Sequence, residues 1–178
     1  MSDSLALDVD RISKEALRTM AAGPATSGSG LDTERVVSVL NDVVATEVVA
    51  WLRYTRHAIT ARRIDRPEVS ERFDLRAEQA MRHAEDTAGR IAALGGHANF
   101  DPEMLAQRAH TDYSVADDPA IRAMVEQNLQ ASGIVVDAYR EIARWLGDRD
   151  PDSRRLVESV LADERDNARA LTELLRLV

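Results

Sequence analysis

Four stretches of this chain carry apolar residues at alternating spacings of three and four, and each is several times longer than an ordinary strand. They run from about 32 to 63, 67 to 94, 119 to 146, and from 151 onward. A period near 3.6 kept up over such lengths belongs to α-helices that turn one face to a core. The punctuation agrees. Asp32 or Thr33 is placed to cap the first helix, and Pro67 opens the second. Gly95-Gly96 closes the second, Gly147 closes the third, and Pro151 sits in the first turn of the fourth. Aromatic residues make up only 4% of the sequence, so strand formers are scarce.

The links set the topology. A few residues around Asp65 join helices one and two, and Gly147–Asp150 join three and four; links this short make antiparallel neighbours. About 22 residues, Gly95 to Asp118, separate helices two and three, enough to travel the length of a bundle. The expected fold is all-α: an antiparallel four-helix bundle over 31–178, with one long crossover between helices two and three. Residues 1–30 read as a separate arm. In it 4–20 form a short amphipathic helix, and Ala21–Gly30 form a flexible linker.

Charge narrows the function. The net charge is −8, and the acids of the arm (Asp3, Asp8, Asp10, Glu15) slightly outnumber its bases (Arg11, Lys14, Arg18). Such a chain repels phosphate backbones, so no nucleic-acid partner is expected. Nothing resembles a signal peptide, and no run of roughly 18 apolar residues exists. The expectation is a cytoplasmic protein with no membrane partner. With no cysteine, thiolate metal sites are excluded.

The apolar stripes are interrupted at one level. The first helix presents Val36, Leu40, Val43, Glu47, Trp51, Tyr54 and Ala58 on one face, with Glu47 in the middle. The second presents Phe73, Ala80, His83, Thr87, Ile91 and Leu94, with His83 central. Ser132 is central in the third stripe (Ile121, Val125, Asn128, Ser132, Val135, Tyr139, Ile142, Leu146). Glu164 and Asn167 are central in the fourth, among Val157, Val160, Leu171 and Leu174. Two carboxylates and an imidazole thus point to one mid-bundle region. Buried ionised carboxylates cost several kcal/mol each unless something compensates them. A hard or borderline metal cation would do so. So would a metal-free arrangement in which Glu47 and Glu164 share a protonated His83.

Order, spacing and crossover length together resemble the ferritin-like superfamily, in particular its bacterioferritin and bacterioferritin-like Dps subgroup. The resemblance spans roughly Leu31 to Leu175. It is carried by LNDVVATEVVAWLRYTRHAITA, MRHAEDTAGRIAALGG, the crossover NFDPEMLAQRAHTDYS, NLQASGIVVDAYREIARWLGD and LADERDNARALTELL. It implies a di-iron ferroxidase built from a Glu on each of two helices and a Glu-x-x-His pair on each of the other two. Position by position, Glu47 keeps the first-helix Glu. Ala80 stands where the second-helix Glu would be, and His83 keeps its partner. Ser132 replaces the third-helix Glu. Glu164 keeps the fourth-helix Glu, and Asn167 replaces its His.

The resemblance therefore implies that the first iron's ligands survive as Glu47, His83 and Glu164, while the second iron's set is reduced to Glu164. Glu78, Glu85, Asp86 and Asp137 lie off the inward faces and are poor substitutes. Tyr54 and Tyr139 stand where relatives place tyrosines that hydrogen-bond ligands or take part in electron transfer; both also suit an ordinary core. Met81 matches the haem-ligating methionine of bacterioferritins, although methionine on a helix more commonly packs.

The expectation is an iron-binding or iron-storing subunit of a homo-oligomer or cage that holds at most one metal and has an impaired ferroxidase centre. One alternative is a metal-free structural paralogue that co-assembles with an active partner. Another is a mononuclear metal enzyme acting on a small organic molecule.

Overall fold

The computed structural model describes residues 32–114 and 120–178, so the arm and linker expected over 1–30 lie outside the described residues. Five α-helices occur among them: α1 (Thr33–Arg63), α2 (Pro67–Ala93), α3 (Pro102–Arg108), α4 (Ile121–Leu146) and α5 (Pro151–Leu177). A single 3₁₀ turn, Gly147–Arg149, joins α4 to α5.

Local chemistry sets the ends. The Asp32 carboxylate accepts from the Glu34 amide at 3.1 Å and begins α1. α2 starts at Pro67 and stops where Gly95 enters the left-handed region at φ 79°. Gly96 then passes so close to α1 that an added Cβ would lie 2.7 Å from both γ-carbons of Val37. Only glycine lets the chain leave α2 along that path. Asp150 accepts from the Ser153 amide at 3.1 Å and from Arg90 at 2.9 Å, which fixes the start of α5 against α2.

α1 pairs with α2, and α4 with α5, as two antiparallel hairpins; packing within each hairpin is closer than packing between them. The inward stripes read from the sequence are buried throughout α4 and α5. On α1 the burial is wider. Val39, Val44, Val48 and Val49 are buried along with Val36, Leu40 and Val43. The crossover accounts for part of this, because it clings to α1 instead of swinging free.

Asn41 donates to the His97 carbonyl at 3.1 Å and accepts from the Asn99 amide at 2.7 Å. Within the crossover, α3 inserts Leu105 into the core, and Arg108 reaches Asp42 at 2.8 Å and the Ser38 carbonyl at 2.7 Å. The sequence reading treated this segment as a connection without a helix of its own.

The core comes in two pieces. One is built on Leu40, Val43, Ile91, Tyr139, Ile142 and Leu146, the other on Ala58, Phe73, Met124, Val125 and Tyr54. Fully burying each Leu, Ile, Val or Phe contributes about 1.5–3 kcal/mol. Between the two pieces lies a layer of polar side chains. No helix of the described residues is long and apolar enough to cross a membrane.

Candidate metal centre

Glu47 comes from α1, His83 from α2 and Glu164 from α5. One ligand atom from each lies within 4.8 Å of the others, and all three residues are buried. The bundle reaches this convergence simply by carrying each stripe's polar interruption to the same depth. The expected trio is thus brought together as the sequence suggested.

Its partners differ from expectation. Tyr139 donates to Glu47 Oε1 at 2.6 Å, and His83 Nδ1 faces Glu47 Oε2 at 3.3 Å. The other imidazole nitrogen, Nε2, faces Asp163 Oδ2 at 3.0 Å. Glu164 is claimed by Arg76, whose Nη2 lies 2.5 Å from Oε1, while Ser132 donates to Oε2 at 3.1 Å. The arrangement in which Glu47 and Glu164 share His83 is therefore corrected. His83 bridges Glu47 and Asp163, and Glu164 has a guanidinium of its own.

These contacts set the proton affinities. Burial lowers that of His83, but Glu47 and Asp163 outweigh it and the imidazole is pushed up from its ordinary value. Glu164 is pushed up by burial and by the nearby Glu47 charge, against the pull of Arg76. Burial, then Glu47, raises Tyr139 well above the usual phenol range. Tyr54 is raised by burial and by Glu164. Both tyrosines are therefore neutral donors or acceptors at pH 7. The place of His83 between two carboxylates favours its protonated form, beside the Arg76 guanidinium.

Asn167, Ser132 and Ala80 have their own order. Asn167 donates to the Tyr54 hydroxyl at 2.8 Å and to Ser132 Oγ at 3.2 Å. Ala80 is buried and offers no donor. Tyr54 lies between two guanidinium groups, with the Arg53 and Arg76 Cζ atoms each 5.9 Å from its ring centroid. Met81 is half-buried and packs against the core. Glu78, Glu85 and Asp86 are exposed, as is Asp137, which pairs with Arg140.

The donor set answers which ions it fits. One divalent cation fits Glu47, His83 and Glu164, provided that the His83 proton and Arg76 give way. Ser132, Asn167 and Ala80 bring no carboxylate or imidazole to the centre.

Sequence reasoning missed several residues here. Arg76 falls on the α2 stripe, three after Phe73 and four before Ala80, so its signal was present in the spacing. Asp163 precedes Glu164 and is part-exposed, and no periodicity marks it. A second buried polar line runs under the crossover. Thr46 meets His110 Nδ1 at 2.8 Å, and Arg53 donates to Asn128 Oδ1 at 3.0 Å. Asn128 meets His57 Nδ1 at 2.8 Å. Burial pushes His110 down to about 4. Burial, then the Arg53 charge, pushes His57 down to about 4. Thr46, Arg53 and His57 step by seven and four along α1, a second face that the apolar stripe conceals.

Comparison with known proteins follows this geometry. A family model described as a ferritin-like domain matches residues 37–178. The chain is 25% identical over 148 residues to the DNA protection during starvation protein of Pyrococcus furiosus, covering 83% of this chain and 80% of that protein. The bacterioferritin of Desulfovibrio desulfuricans is 26% identical over 132 residues, covering 74% of this chain and 69% of that protein. Its solved structure, which has a diiron site, matches with a TM-score of 0.72 at 22% identity, covering 85% and 84% of the two chains. A dodecameric thioferritin, the bacterioferritin-related protein of Bacteroides fragilis, matches with a TM-score of 0.78 at 23% identity, covering 92% and 93%.

Proposed function

Starting from the fact that this chain belongs to the ferritin-like domain family, we propose that it is a subunit of a cytoplasmic iron-binding or iron-storing assembly whose internal centre admits at most one metal ion. The similar structure of a dodecamer supports a closed homo-oligomer. The net charge of −8 supports an exterior that draws cations and does not hold nucleic acid, unlike what the name of the Pyrococcus relative says of that protein.

The observation that carries the reading is the side of the centre where a second ion would sit. There Arg76 is bonded to Glu164, and Ser132, Asn167 and Tyr54 form a neutral hydrogen-bonded chain. Oxidation of Fe(II) by oxygen at a paired centre draws one electron from each of two adjacent ions. One ion held by Glu47, His83 and Glu164 would offer Lewis acidity and one electron, and no partner beside it. Iron here is cargo, and the protein's own groups hold it, neutralise its surroundings and exclude water.

The test is stopped-flow absorbance after mixing metal-free protein with Fe(II) in air. Wild type is expected to show no rapid phase at two irons per subunit. The combined variant Arg76→Gln, Ala80→Glu, Ser132→Glu, Asn167→His is expected to gain one, at least about 100-fold faster. A rapid two-iron phase in wild type would defeat the reading.

A metal-free shell subunit that co-assembles with an active partner is the second reading. It is favoured by the four carboxylate oxygens of Glu47 and Glu164 already facing donors within the protein. Purification from iron-supplemented cells separates the two: no metal retained at this centre supports the shell subunit.

A further inference from the structure

Arg76 is an unusual occupant of a bundle interior. Its guanidinium reaches Glu164 Oε1 at 2.5 Å and also donates to Gln79 Oε1. On the other side of the centre His83 Nε2 faces Asp163 Oδ2 at 3.0 Å. Two chains of contacts thus flank the centre, Gln79–Arg76–Glu164 and Asp163–His83–Glu47. Yet the arginine is not fully satisfied. Its Nε is buried with no hydrogen-bond partner. Its side chain is 15% exposed, against 8% for Glu164.

The exposed edge faces a groove of about 390 Å³ between α2 and α5. Phe73, Arg76, Gln79, Asp163, Asp166 and Leu174 are among its walls. The groove is large enough for a guanidinium to turn into, and Asp166 at its rim is largely exposed, its carboxylate paired with the exposed Arg169.

We propose that Arg76 is a tethered stand-in for a metal ion. With no metal present, its guanidinium neutralises Glu164 and closes the centre on the groove side. A divalent cation takes Glu164 only when the arginine swings out into the groove toward Asp166. The carboxylate then exchanges one cationic partner for another, and no covalent bond changes. Binding is weakened by the need to displace the arginine, so Arg76 is a positioning residue that sets the affinity of the centre. A fixed competitor of this kind also keeps buried Glu47 and Glu164 from repelling each other when the subunit holds nothing.

The inference rests on the single-ion reading above, and its test does not use iron oxidation. The full chain, as its purified assembly and stripped of metal by a chelator, is titrated with Mn(II) by calorimetry and electron paramagnetic resonance. Arg76→Gln and Arg76→Ala are expected to bind one Mn(II) per subunit on the order of 100-fold more tightly than wild type. Arg76→Lys keeps the charge and is expected to stay near wild type. Adding Glu164→Gln to Arg76→Gln is expected to abolish the gain. In Arg76→Ala, low-millimolar guanidinium is expected to compete with Mn(II), a response that a purely structural role would not produce.

Equal Mn(II) affinities in wild type and Arg76→Gln would overturn the proposal, as would a gain that survives Glu164→Gln. Circular dichroism and assembly size check folding, and Arg76→Lys with the guanidinium competition guards against an unfolded variant. Fast two-iron oxidation by wild type would defeat the single-ion reading alone, whereas equal manganese affinities would defeat this proposal alone.

Discussion

The two sides of the polar layer hold their charge differently. On one side Glu47 meets a neutral phenol and an imidazolium: Tyr139 at 2.6 Å and His83 at 3.3 Å. On the other side Glu164 meets a guanidinium, and the rest is a neutral chain of Ser132, Asn167 and Tyr54. The first side keeps the residue types of a metal site, and its cation can leave by losing a proton. The second consists of side chains that satisfy one another, and its cation is a covalently attached arginine that cannot diffuse away. A buried carboxylate can thus be neutralised by a side chain of the protein itself, without a metal ion.

The largest test of this contrast is removal of that arginine with no metal present. Arg76→Met is expected to destabilise the metal-free protein by about 3 kcal/mol, because Glu164 is left buried and unpaired. The double variant Arg76→Met with Glu164→Leu is expected to recover most of that loss. Chemical denaturation of the three proteins measures it, and a double variant no better than the single one would break the contrast.

Acidification probes the Glu47 side from behind. His110 packs edge-on against Tyr139, with ring centroids 6.0 Å apart, and bonds to Thr46. Burial holds it at about 4, below its ordinary 6.5, so the fold favours the neutral ring. Its contribution is therefore fully present above pH 6.5 and is lost as the pH falls through about 4. At 1.36 kcal/mol per unit, the loss by pH 4 is about 3 kcal/mol at most. His110→Asn is expected to reduce the loss of stability between pH 6.5 and 4. An unchanged slope would show that protonation of His110 is not opposed by the fold.

The finest comparison sets the two tyrosines against each other. Tyr139 donates to a carboxylate, whereas Tyr54 accepts from an amide. Bonds to charged groups are worth more than neutral ones. Tyr139→Phe is expected to cost about 2 kcal/mol and Tyr54→Phe about 1 kcal/mol, read from denaturation midpoints. A reversed order would mean that Glu47 draws its stabilisation chiefly from His83.

The bundle and the meeting of Glu47, His83 and Glu164 were legible because both follow from period and depth. A polar residue that interrupts an apolar stripe at mid-length has nowhere else to point. What was not legible depends on pairing between helices. Asp163 engages His83 from a part-exposed position that no spacing marks. Arg76 did fall on the α2 stripe, but a long charged side chain there reads equally well as one reaching out to solvent. The grip of the crossover on α1 was hidden in another way. It rests on Asn41, Thr46 and Arg108, each unremarkable in a window of neighbours, whose bonds across the crossover reach residues more than fifty positions distant. The short helix α3 was missed because its seven residues are too few to show a period.

The unequal packing of the two hairpins has a consequence for motion. α1 with α2 and α4 with α5 are each tightly joined, and the thinner seam between the pairs is crossed by the Tyr139–Glu47, Arg76–Glu164 and Asn167–Tyr54 bonds. Those bonds act as rivets between two stiff plates. Loosening them would let the plates breathe apart while each stays intact, so amide hydrogens along the seam would exchange with deuterated solvent before those inside either pair. Whatever fills the centre, ion or arginine, thereby also sets how often the molecule opens along its length.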